Sequence, residues 1–176
     1  MNTSPFIKRL NLAAMAMVMA IVSAACLMLA PQAARAQALG DFTENAIIDH
    51  WFRAQVPTLA ANLDVSLSTT ACSDSSGGTE VTGGSYARVS VARSLANWAG
   101  TQAAGSTAAS SGTNGLTSNN VAISFPTPTA GWGTVSHFVL WSGANLVLCQ
   151  ALTTAKTINT GDTVSFPIAS MTVTIQ

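Results

Sequence analysis

The sequence predicts an all-β domain: a sandwich or jelly-roll-like barrel of about eight antiparallel strands with one N-terminal helix. Three observations carry this. From residue 63 onward, apolar side chains alternate with polar ones at a period of two, the pattern of half-buried strands. Turn signals rich in Gly, Pro and Asn interrupt that pattern at intervals near the roughly 8–12 residues typical of sandwiches and small barrels. Helical periodicity is confined to residues 41–53.

Residues 1–36 read as a secretory signal-like segment ahead of a single β-rich domain at 37–176. Lys8 and Arg9 form a positive start, an apolar run follows from Leu12 to Ala30, and Pro31 breaks it. Ala34-Arg35-Ala36 and Ala36-Gln37-Ala38 then both fit an A-x-A cleavage site. At about 19 residues the apolar run also reaches the lower range of a membrane-spanning helix, so an uncleaved anchor is the rival reading. Membrane association is expected only in that case. Cys26, after Ser23-Ala24-Ala25, is a poor lipidation site because the apolar run continues past it.

Cleavage after Ala36 leaves 176 − 36 = 140 residues, enough for one sizeable core. It also removes Lys8, Arg9 and Arg35, so 7 − 3 = 4 basic side chains face 7 acidic ones. That balance is a poor match to a nucleic-acid partner, which needs clustered Lys and Arg to displace counterions. It also argues against a basic helix lying on a membrane surface.

The helix is read at residues 41–53. Asp41 and Glu44 make an Asp version of a capping box. Ile47 with Trp51, and Ile48 with Phe52, sit one turn apart and give a strongly apolar face. Val56-Pro57 is expected to end it, and Asp49 and His50 fall on its solvated side.

A strand follows in which Val65 and Leu67 alternate with Asp64, Ser66 and Ser68, then a polar loop at 69–78. Gly77-Gly78 and Gly83-Gly84 bracket a hairpin arm, and Tyr86, Arg88 and Ser90 alternate with Ala87, Val89 and Val91 in a strand. Glu80 and Arg88 flank the second glycine pair and are expected to pair across it. Residues 100–120, nearly all Gly, Ala, Ser, Thr and Asn, have too little apolar surface to offset their ordering entropy and read as a flexible surface loop. Trp98 is expected to anchor its base.

The remaining strands are read at 121–125, at 135–141 (Val135, His137, Val139 and Trp141 opposite Ser136, Phe138 and Leu140), at 146–152, at 156–158, around Val164 and Phe166, and at 171–175. Pro126, Pro128, Gly131, Gly143 and the Asn159-Thr160-Gly161-Asp162 run mark the turns between them.

Chemistry is sparse. His50 and His137 are the two histidines, the acids are scattered singly, and no H-x-x-x-H, C-x-x-C or G-x-S-x-G occurs. No catalytic, cofactor-binding or metal-ligating residue is assigned, and no cofactor. A triad of His137, Asp162 and a serine, or a carboxylate pair of Glu80 and Asp162, has nothing at useful spacing to support it.

Cys72 and Cys149 are the cysteines of the domain. They form either one disulfide, in an exported protein, or leave Cys149 as a buried thiol in an apolar strand. Charged residues make up 8 % of the chain, which suits a rigid β module that works by contact with copies of itself. Trp51, Phe52, Trp98 and Trp132 are the interface or contact candidates.

The series ENAIIDHWFR (44–53), VSLSTT (65–70), GGTEVTGGSYARVSV (77–91), ISFPTPTAGWGTVSHFVLW (123–141), NLVLCQALTTAKTINTGDTVSF (145–166) and a closing MTVTI resembles a family of small tailed-bacteriophage virion proteins. Its members usually carry the label phage tail fibre protein or structural protein. The resemblance covers almost all of residues 41–175. It implies a non-enzymatic, β-rich virion component, repeated many times, in a tail fibre or as a capsid decoration protein; the chain is expected to form a homo-oligomer, a trimer, and to pack with other virion or surface-assembly proteins.

Members of that family typically begin close to where Leu39-Gly40-Asp41 stands here. The leader is therefore read as marking an exported relative, extracellular or periplasmic, or an upstream start codon. The alternative function is an exported bacterial surface module that binds a glycan through Trp98, Trp132 and the long loop.

Overall fold

The computed structural model describes residues 38–111 and 115–175; the signal-like segment at 1–36 lies outside them. In chain order the elements are β1 (Ala38–Leu39), α1 (Asp41–Arg53), β2 (Asn62–Ser68), β3 (Val89–Ala92), β4 (Leu116–Ser118), β5 (Ile123–Ser124), β6 (Gly133–Ser142), β7 (Asn145–Ile158), β8 (Ser165–Phe166) and β9 (Thr172–Thr174). All pairings are antiparallel. A five-stranded sheet runs in the order β1-β7-β6-β2-β3, and two short ribbons, β4-β9 and β5-β8, form a second layer. The all-β expectation therefore holds as an open, sandwich-like stack with a single helix; no barrel closes.

The core lies between the layers. Val65, Leu67, Phe138, Leu140 and Leu148 from the large sheet meet Ile123, Phe125, Trp132, Met171 and Val173. Its aromatic members interlock edge-on: Tyr86 meets Trp132 at 5.2 Å between ring centroids, and Phe138 meets Phe166 at 5.7 Å, the geometry that ring quadrupoles favour. The opposite face of the sheet carries a smaller cluster of Val139, Leu146 and Cys149, packed by Trp141 and Cys72.

That second cluster corrects the reading of β2. Ser66 and Ser68 were expected to face solvent, yet both are buried. The loop at 69–79 folds over this face: Ser68 Oγ donates to the carbonyls of Thr70 and Thr79, and Ser66 Oγ accepts from Trp141 Nε1 at 2.8 Å. A period of two survives on both faces only because the buried polar atoms find partners.

Other boundaries move for local reasons. Tyr86 was expected in a strand, but Gly83, Gly84 and Ser85 all have positive φ and close a turn with Tyr86 N–H donating to the Gly83 carbonyl. The strand therefore begins at Val89. Residues 100–120 were expected as loop throughout; instead Leu116–Ser118 is β4, paired with β9, and Asn119 is fully buried.

The strands read separately at 146–152 and 156–158 are one strand, β7, interrupted by a bulge. Val135 pairs with Lys156 and His137 with Ala151, so residues 152–155 stand opposite Ser136 alone. Across this irregularity Val135 joins Phe138 and Leu140 in the main core instead of sharing a face with Val139, as simple alternation predicted.

α1 has the expected bounds with different ends. Gly40 is the N-cap, with no side-chain cap, and a Cβ there would run into the Leu146 carbonyl. Asp41 N–H donates instead to the Asp74 carbonyl, so no capping box forms. The helix stops at Ala54, which takes the left-handed conformation (φ 52°) while Gln55 N–H returns to the Asp49 carbonyl, before Val56-Pro57 is reached.

Candidate functional site

The apolar stripe of α1 is largely open to solvent, with Ile47 and Trp51 lining a cavity of about 320 Å³ against Pro57, Leu59, Leu63 and Val147. The helix is held to β7 through its first turn, where Thr43 Oγ1 and Gly40 N–H both donate to the Val147 carbonyl. Further along, no helix residue is buried. Trp51 is 76 % exposed and Phe52 82 %, with Ile48 and Val56 exposed beside them. Asp49 and Arg53, a turn apart, pair at 2.7 Å on the polar side, and His50 lies edge-on to Trp51. The sequence identified Trp51 and Phe52 as contact residues, and the fold leaves both open to solvent.

Trp132 and Trp98 fare differently. Trp132 is 5 % exposed, inside the aromatic core, with Nε1 donating to the Gly84 carbonyl at 3.0 Å. As a surface contact it is corrected, because the Gly84 turn closes over it: a Cβ at Gly84 would lie 2.7 Å from the Ala130 carbonyl and 2.9 Å from the indole nitrogen. Trp98 is half-buried and bridges Asn119 at the base of the 100–111 segment. The glycan patch built on Trp98, Trp132 and the loop thus loses its central aromatic.

A groove of about 590 Å³ opens at the β7 bulge, a size that pockets for medium-sized ligands share. Its floor is apolar, made by Leu67, Val135, Leu152, Val164 and Phe166. Its rim carries Thr154 and Lys156 on one side and Asp162 and Thr163 on the other. Sequence reasoning missed it: the bulge that opens it has no local signature beyond a Thr-rich stretch inside an apolar strand.

The titratable groups do not assemble a reaction centre among the described residues. His137 Nδ1 and Ser136 Oγ bond each other at 2.8 Å, while Asp162 accepts the Asn159 N–H and closes a turn; no bond joins the two. No group of three or more His, Cys, Asp or Glu side chains is placed to hold a metal ion among those residues.

Glu80 instead joins a packing network. Arg88 meets it in a two-point pair, Nε to Oε1 at 2.8 Å and Nη2 to Oε2 at 2.6 Å, and stacks 4.3 Å above the Trp141 ring. Tyr86 donates to Glu80 Oε1 at 3.1 Å and accepts the Leu67 N–H at 2.9 Å. Cys72 and Cys149 are joined in a disulfide, Cα atoms 6.2 Å apart, a separation common for such bridges. It ties the 69–79 loop to β7.

Among known families, the model described as Podophage GP4 fiber I protein gp80 matches residues 38–174, a span that takes in α1 and every strand from β1 to β9. No curated protein matches the chain.

Proposed function

The chain belongs to the Podophage GP4 fiber I protein gp80 family, and from that membership in a phage structural family we propose that it is a non-enzymatic tail-fibre subunit that assembles with copies of itself, the trimer being the expected unit. The observation that carries the reading is the exposed aromatic stripe of α1. Contiguous apolar patches are rare on monomeric proteins and mark interaction sites, and Trp and Phe are the residues that dominate interface cores.

Two measurements test it. Sedimentation equilibrium of the purified chain should give a defined oligomer; a monomer at all concentrations rejects self-assembly. Densitometry of purified particles should find the chain at low copy relative to the coat protein, as for a fibre. A copy number near that of the coat would move it to the capsid surface.

A further inference from the structure

The segment that covers the back of the large sheet is fastened in two different ways, at its base and at its tip. Hydrogen bonds close the base. Thr79 N–H donates to Thr70 Oγ1 at 2.8 Å, Thr69 N–H donates to the Thr79 carbonyl at 2.9 Å, and Ser68 Oγ reaches the carbonyls of both Thr70 and Thr79. Val81 N–H then joins the Leu67 carbonyl. The tip, residues 71–78, has little of this kind: Gly77 is buried and Cys72 half-buried, while the rest are exposed. A segment with so few buried contacts opens at low free energy. What fastens it to β7 is the Cys72–Cys149 bridge.

The tip covers apolar surface. Cys72 packs on the cluster of Val139, Leu146 and Cys149, and a Cβ at Gly77 would stand 2.6 Å from the Trp141 ring and 3.4 Å from Val139 Cγ1. The Asp74 carbonyl of the tip also accepts the Asp41 N–H at the start of α1.

We propose that residues 71–78 are a redox-gated lid. With the bridge closed the lid covers the sheet face of Val139 and Trp141; with the bridge reduced it swings away on its hydrogen-bonded base and presents that face. Exposed apolar patches are contact surfaces, so the reduced chain carries one that the oxidised chain lacks. Release also removes the partner of Asp41 N–H, and the change reaches the first turn of α1.

The reductant is a dithiol. Cys149 is 3 % exposed and Cys72 half-buried, so the first thiolate attacks Cys72 Sγ. The bond between the two cysteines breaks, and Cys149 leaves as a thiolate that takes up a proton. The second thiolate then displaces Cys72, which is protonated in turn, and the dithiol departs as a cyclic disulfide, having passed two electrons to the bridge.

The test treats the full chain with dithiothreitol and follows amide exchange and iodoacetamide labelling by peptide mapping. Reduction should speed exchange at 72–78 and at Asp41 by about tenfold or more, and leave Val81 and the paired residues of β2 and β6 as they were. Cys149 should become alkylated along with Cys72. The Cys72→Ser chain should show the opened pattern with and without dithiothreitol.

A reduced chain whose tip exchanges as slowly as before, or whose Cys149 stays unreactive, has a lid held by packing alone and overturns the proposal. Protection lost at Val81 and throughout β2 as well would make the bridge a staple of the whole fold, and overturns it equally. So does a Cys72→Ser chain that still responds to dithiothreitol, because the response then comes from elsewhere.

Discussion

Tyr86 is the chain's one tyrosine, and its hydroxyl joins β2 to the Glu80 segment by accepting the Leu67 N–H and donating to Glu80. Burial, foremost, together with the negative charge of Glu80, holds the phenol protonated well above its ordinary 10.0, against the opposing pull of the Leu67 N–H and Arg88. The folded chain then keeps this proton at pH values where the unfolded chain releases it. The contribution to stability is complete below pH 10.0 and is lost as pH rises above it. Melting temperature should accordingly fall with alkaline pH, Tyr86→Phe should flatten that fall, and phenolate absorbance, reporting this single group, should titrate above the range of free tyrosine. A phenolate appearing at the ordinary pH in folded protein would refute the assignment. Asn119 argues similarly for a residue that composition hid. Inside a stretch read as loop, its Nδ2 donates to the carbonyls of Val121 and Pro167, both at 2.8 Å, and its Oδ1 accepts the Met171 N–H at 2.9 Å. Asn119→Leu leaves those groups buried and unpaired and should cost about 2–3 kcal/mol in chemical denaturation. The Glu80–Arg88 pair was legible because both residues flank a glycine turn. Tyr86 and Asn119 were not, because each also bonds backbone groups of other segments, Leu67 for Tyr86 and Pro167 and Met171 for Asn119.

At the scale of elements, α1 was readable because a 3.6-residue period is local, whereas its start depended on Leu146 and Asp74, contacts that only the folded chain supplies. Strands of the large sheet were readable where alternation is uninterrupted. β7 was split in two because its bulge at 152–155 breaks the period without breaking the pairing. The 69–79 loop shows the same limit from the other side: polar by composition, it nonetheless covers a sheet face. Gly77 lies so close beneath Trp141 that a Cβ would stand 2.6 Å from the ring, and the Cys72–Cys149 bridge spans 77 residues of sequence. Closing so long a loop in the unfolded chain is what makes a disulfide stabilising, by about 2–4 kcal/mol in typical cases. Cys72→Ser should lower stability by that order and loosen the loop, seen as faster amide exchange at 69–79. Equal stability of oxidised and reduced protein would show that the loop is held by packing alone.

For the whole molecule, the sequence conveyed the sandwich class through the spacing of its turns. It could not convey the groove, because the groove floor draws on β2, β6, β7 and β8 at once. The same breadth decides how the assembly should respond to its surroundings. The two ion pairs among the described residues, Asp49–Arg53 and Glu80–Arg88, are both internal to the chain, and the exposed stripe of Ile47, Ile48, Trp51 and Phe52 carries no charge. Screening at 1 M salt, where the Debye length shrinks to about 3 Å, should therefore remove little that holds the proposed assembly together. Cooling acts on the apolar term directly, since hydrophobic association weakens as temperature falls. Sedimentation across a salt series at fixed temperature, then across temperature at fixed salt, should show oligomers that persist in high salt and lose population in the cold. An assembly that dissolves on adding salt would instead point to charged contacts, and would remove the α1 stripe as the surface that joins the copies.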